Sequence, residues 1–158
     1  MNYKITKSIK GEKVDFRHPT KRFFDAVGGE EGMRKLMYSF YDIIYESDIH
    51  NFFPQDRAEF DKVKEKNTKF FIEVCGGPKV YQQESGGASL DDYMIHVHEG
   101  FTIDENARVE WLGCMKTALE RFDIEDEEAK REFWSYVEAF SKLTVNSFKD
   151  LQSFNPYH

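Results

Sequence analysis

From Val27 onward the apolar residues recur at intervals of three and four. Val27, Met33, Leu36, Met37, Phe40, Tyr41 and Ile44 share one face of an amphipathic helix that follows the turn at Gly28-Gly29 and ends near Ser47. A second helix is predicted from about Ala58 to Cys75, with Phe60, Val63, Asn67, Phe70, Phe71 and Val74 on one broad face. Gly76-Gly77-Pro78 stops it, because glycine supplies a left-handed cap and proline cannot continue a helix. Residues 78–90 read as loop, and a short helix then carries Met94 and His98. Asp104 is in place to cap the next helix, whose apolar positions run Ala107, Trp111, Cys114, Met115, Ala118, Leu119 and Phe122. The last helix is predicted over 126–148 through Ala129, Phe133, Val137, Phe140, Leu143 and Val145. Strand signals are negligible, there is no internal repeat, and the expected class is all-α.

Charge divides the chain where the helical pattern begins. Residues 1–22 hold seven Lys and Arg against Glu12 and Asp15, a net of +5, whereas the whole chain is at −7 and the remainder is therefore at −12. We read 1–22 as a basic extension that Pro19 closes before Phe23 and Phe24, 23–148 as one domain, and 149–158 as a C-terminal tail. The extension is expected to be a loosely ordered tail lying on its own acidic body. A chain of 158 residues has room for one core. Its acidic balance would repel a phosphate backbone, so nucleic acid is not an expected partner. No stretch approaches the roughly 20 apolar residues of a membrane span, and the Lys-rich start has no apolar signal core. A cytoplasmic location is the expectation. Cys75 and Cys114 have no metal-type spacing and fall in apolar helical patterns, as buried free thiols do.

Aromatic residues make up 16% of the chain, which by itself describes a core rich in phenylalanine. Three polar side chains interrupt that description: Tyr41 beside Phe40, Asn67 between Val63 and Phe70, and the indole of Trp111. Each is a donor needing a partner if buried, and together, from three helices, they suggest a small polar site in an apolar cavity. His98 lies where one pattern stops at Gly100 and the next begins near Asp104. From there an imidazole can project into a cavity or act as a cap or surface group. His50 and His96 read as surface residues.

Phe24-Asp-Ala-Val-Gly-Gly29, Phe40-Tyr41, Phe53-Pro54, Gly76-Gly77-Pro78 with Tyr81, and His98 through Trp111-Leu-Gly-Cys-Met115 occur in an order that resembles the second group of truncated haemoglobins. The likeness covers about residues 23–148. It implies a two-over-two sandwich of antiparallel helices around haem b, with the proximal-side helix largely replaced by the loop after Pro78. His98 matches the proximal iron ligand and Tyr41 the distal tyrosine. Trp111 matches the tryptophan that marks the group, and Val63 and Asn67 match two variable distal positions. Phe53, Phe71, Met94, Phe101 and Arg108 are implied haem contacts, the last toward a propionate, with Lys66 or Lys69 as further cations near the haem edge. The segment from Tyr81 to His98 departs from the family: it is longer, lacks the Gly-His-Pro, and has Ile95 and Val97 where an arginine commonly precedes the histidine. Asn67 stands where glutamine or leucine is commoner.

The resemblance implies that His98 binds the iron while its second ring N–H is held by a carbonyl one turn earlier, that of Met94. Tyr41 and Trp111, assisted by Asn67, would donate hydrogen bonds to dioxygen or another diatomic ligand and slow its release. Two function classes follow. One is a protein that stores, delivers or senses oxygen; the other is a redox enzyme for nitric oxide dioxygenation or peroxide chemistry, which would need an external reductase. The first is the expectation. A helical domain without cofactor is the third reading and agrees least with the ordered motifs.

Overall fold

The computed structural model describes residues 1–79, 81 and 98–148, and all regular structure among them is helical. Helix α1 spans Lys21–Val27, α2 Gly29–Tyr45, α3 Arg57–Val74, α4 Glu105–Arg121 and α5 Glu127–Ser141, with single 3-10 turns at His50–Phe52 and Lys142–Thr144. The expected short helix with Met94 and the C-terminal tail lie outside the described residues, apart from His98.

Local chemistry explains the boundaries. Aspartates cap the three later helices: Asp56 accepts from the Glu59 amide, Asp104 from that of Ala107 and Asp126 from that of Ala129. Asp126 also takes a two-pronged bond from Arg22 at 2.7 and 2.9 Å, joining the start of α5 to α1. The α1–α2 corner depends on glycine twice. Gly28 has φ of 106°, which a side chain would resist, and a Cβ on Gly32 would sit 1.9 Å from the Val27 carbonyl oxygen. Seven residues leave α1 too short to announce itself by periodicity, and the pattern did not mark it.

Helix α2 packs against α1, α3 and α4, while α5 packs against α1 and α4. Phe23 and Phe133 stack at 4.2 Å where α1 meets α5, and both are fully buried. Cys75 and Cys114 are buried free thiols, as expected, and burial pushes both pKa values up, that of Cys114 to about 11. No described helix is long and apolar enough to cross a membrane.

Two expectations need correction. The last helix stops at Ser141 and not at Phe148, because Asn146 holds another segment instead of continuing the helix. Its side chain accepts from the Ile103 amide at 2.8 Å and donates to the Phe101 carbonyl at 2.7 Å. The segment after His98 is thereby tied to the C-terminal end of α5.

The basic extension is not a loose tail. It runs across α4 and α5 with its backbone pinned: the Trp134 indole donates to the Lys4 carbonyl at 2.8 Å, and Tyr3 packs edge-on to the same ring at 5.0 Å. Further along, Phe16 meets Phe140 at 5.4 Å, and Ser8 is only 2% exposed. Tyr3, Phe16 and the backbone at Lys4 and Ser8 have partners on the body, which composition and charge do not reveal.

Candidate functional site

One apolar cavity of about 350 Å³ opens between α2, α3, α4, α5 and the segment after His98, a size within the roughly 300–1,000 Å³ usual for cofactor sites. Nine of the expected site residues line it: Tyr41, Phe53, Val63, Asn67, Phe71, His98, Phe101, Arg108 and Trp111. Met94 lies outside the described residues. Helical spacing explains the grouping. Val63, Asn67 and Phe71 follow one another at four-residue steps on α3, and Arg108 and Trp111 are three apart on α4.

Tyr41 is 3% exposed, and its ring meets Phe40 at 4.8 Å and Phe53 at 6.1 Å. Burial raises its pKa far above the ordinary value, so the phenol keeps its proton. A hydrogen bond with Asn67 pulls the other way, by less. Trp111 is half-buried, edge-on to Phe40 at 5.1 Å and roughly parallel to Phe71 at 6.4 Å. Its indole N–H makes no hydrogen bond among the described residues. The phenol and the indole therefore border a cavity whose other walls are mainly aromatic and aliphatic.

His98 is half-buried on the same lining, and its carbonyl accepts from the Phe101 amide at 3.1 Å. Among the described residues it is the only imidazole on the cavity wall. His50 is exposed, with Nδ1 2.8 Å from the Ser47 carbonyl, and His18 packs on the ring of Tyr136. Neither cysteine lines the cavity. One imidazole, aromatic walls and hydrogen-bond donors fit a haem; they do not suit a bare ion, and no group of three or more His, Cys, Asp or Glu among the described residues could hold one.

Arg108 differs from its expected role. It borders the cavity, but every guanidinium N–H is engaged within the protein: Nε to Ser141 Oγ at 2.8 Å, Nη1 to the Thr6 carbonyl at 3.0 Å and to Glu105, and Nη2 to the Glu138 carbonyl at 2.8 Å and carboxylate at 3.1 Å. None is left to reach a propionate. The cavity also takes in Ile49, Phe52, Ile103, Tyr136, Val137 and Phe140. Val137 and Phe140 stood on a predicted apolar face that core and cavity share, whereas Ile49 and Phe52 fall in a connection without periodicity.

The profile of the bacterial-like globins matches residues 22–146. The chain is 30% identical over 105 residues to the group 2 truncated hemoglobin YjbI of Bacillus subtilis (strain 168), covering 66% of this chain and 74% of that protein. Among solved structures it is similar to phosphate-bound Hell's gate globin IV, with TM-score 0.74, 29% identity and 96% of each chain covered. It is also similar to the truncated oxygen-avid haemoglobin from Bacillus subtilis, with TM-score 0.68, 26% identity, and 78% of this chain and 98% of that one covered.

Proposed function

The chain belongs to the bacterial-like globin family, among the group II truncated haemoglobins, and from that premise we propose that its cavity holds haem b through His98 and binds dioxygen reversibly. A haem and a diatomic gas are what the family implies; the axial ligand, the identity of the gas and the use of the protein for oxygen storage or delivery are our reading. The observation that carries it is the lining: His98, Tyr41 and Trp111 border one cavity whose other walls are mainly aromatic and aliphatic.

Bound haem would supply a ferrous iron that takes a diatomic gas. The protein's part follows from its side chains. The His98 imidazole would hold the metal through one ring nitrogen, and an acceptor at the other would set the ring's orientation. Phe53, Val63, Phe71 and Phe101 make apolar contact with the macrocycle and keep water out, which lowers the local dielectric and strengthens each remaining polar contact. Tyr41, beside Asn67, would direct its O–H to the polar end of the gas, and the Trp111 N–H would add a second donor.

The absorption spectrum of the ferrous protein loaded with haem b tests this reading. The parent should give a Soret band and a five-coordinate ferrous spectrum. His98→Ala should lose that spectrum and recover much of it when free imidazole is added. A variant with the parent's ferrous spectrum, or a parent with no Soret band, would overturn the assignment.

A further inference from the structure

We propose that the N-terminal arm is a positioning element of the gas site, acting through the buried Arg108 cluster on the Trp111 indole. The proposal rests on the reading of Trp111 as a ligand donor given above.

The cluster holds one guanidinium and two carboxylates. Arg108 is 2% exposed, and Glu105 Oε2 and Glu138 Oε2 each lie 3.1 Å from its nitrogens, an arrangement with surplus negative charge away from water. Such a group is tolerated when every oxygen finds a donor. The arm supplies what the helices lack. The Ser8 amide donates to Glu105 Oε2 at 2.8 Å, the Thr6 hydroxyl donates to Glu138 Oε1 at 2.8 Å, and the Thr6 carbonyl accepts from Arg108 at 3.0 Å. Without these three contacts the cluster would be short of two donors and one acceptor.

The consequence reaches the cavity because Arg108 and Trp111 are three residues apart on α4 and both line it. The first turn of α4 is held from three sides: Glu105 to the arm, Arg108 to the arm, and Arg108 to Ser141 and Glu138 of α5. Loosening the arm frees that turn to shift or rotate about the helix axis, and Trp111, one turn on, moves with it. A displacement of a fraction of an ångström is enough to misalign an indole N–H with its acceptor.

The variant that isolates the arm is Ser8→Pro, which deletes the amide donor to Glu105 at a residue that does not line the cavity. Thr6→Val, which removes only the hydroxyl bond to Glu138, is the milder second variant should the proline prevent folding. The full-length protein labelled with 5-fluorotryptophan gives one ¹⁹F resonance for Trp111 and one for Trp134, assigned by Trp111→Phe. In the haem-free protein, either arm variant should shift or broaden the Trp111 resonance. In the loaded protein, oxygen should leave about three to ten times faster, as for one weakened hydrogen bond, and this acceleration should vanish when Trp111 is already Phe. An unmoved Trp111 resonance would overturn the proposal, as would an acceleration that persists in the Trp111→Phe background. If the resonance moves but the protein takes up no haem, the arm's hold on Trp111 stands and it is the gas-site reading that fails.

Discussion

The Tyr41–Asn67 pair and the Arg108 cluster both set polar atoms beside the same cavity, yet they differ in how much of their hydrogen-bonding capacity the fold has used. Tyr41 keeps its proton beside Asn67, and the Trp111 N–H close by makes no hydrogen bond among the described residues. Arg108 has all of its N–H groups engaged by Ser141, Thr6, Glu105 and Glu138. A buried polar group with donors remaining is equipped to act on a ligand; one that is saturated is equipped to hold the protein together. Burial and residue type do not separate the two cases, since Tyr41 and Arg108 are both nearly inaccessible. The count of partners does.

The largest effect should come from breaking the saturated cluster. Arg108→Met removes the cation and leaves the carboxylates of buried Glu105 and half-buried Glu138 without it, so urea unfolding should show a loss of about 3–5 kcal/mol, with a smaller loss for Arg108→Lys, which keeps the charge but not the fork. A loss under about 1 kcal/mol would mean that the two carboxylates find other partners at once, and the contrast with the cavity pair would fail.

Tyr41→Phe should do the reverse, costing little stability and much ligand retention. Oxygen dissociation measured by stopped flow should quicken on the order of 10-fold, equivalent to about 1.4 kcal/mol, with the unfolding midpoint nearly unchanged. Equal off-rates in parent and variant would show that the phenol proton points elsewhere.

Trp111→Phe tests whether the two reserve donors act on one acceptor. It should speed release less than Tyr41→Phe, because the half-buried indole is nearer to solvent, and the double variant should fall short of the sum by about 0.5 kcal/mol or more. Strict additivity would separate Tyr41 from Trp111.

The smallest effect sharpens the comparison from the other side. Burial holds the Tyr41 phenol protonated well beyond the ordinary value of 10.0, so oxygen off-rates should stay flat to pH 10. Above that, the unfolded chain gives up this proton while the folded one keeps it. The folded-state pKa is the higher of the two, so stability falls as pH rises, and the slope should flatten in Tyr41→Phe. A donor lost below pH 10, seen as faster release, would contradict the burial described here.

Much of the fold was legible because helix-forming patterns are local. The spacing of apolar residues marked α2, α3 and α4 to within a residue or two, and the cap at Asp104 and the turn at Gly28-Gly29 could be read directly. The last helix ran too long on paper because Leu143 and Val145 keep its period, while the event that ends it is the bond from Asn146 to a segment some 40 residues earlier. The cavity residues were legible where they lay on a helix face, as Tyr41, Asn67 and Trp111 do. In the connections a turn's side chains have no period to betray their direction, so Phe53, His98 and Phe101 were reached only through the family resemblance, and Ile49 and Phe52 not at all.

What the sequence determined by itself was the helical class, the aromatic stock of the core and the order of motifs that the family shares, all of which depend on neighbours a few residues apart. Tertiary structure alone decided the fate of the arm and of Arg108. A run of lysines next to an acidic body reads as a loosely ordered tail packed on that body, since sequence shows its charges and not the backbone amides and carbonyls that Trp134, Glu105 and Arg108 reach. Arg108 matched a residue expected at a haem edge, yet its partners come from positions 6, 105, 138 and 141, and only the folded chain brings them within 3.2 Å of one guanidinium.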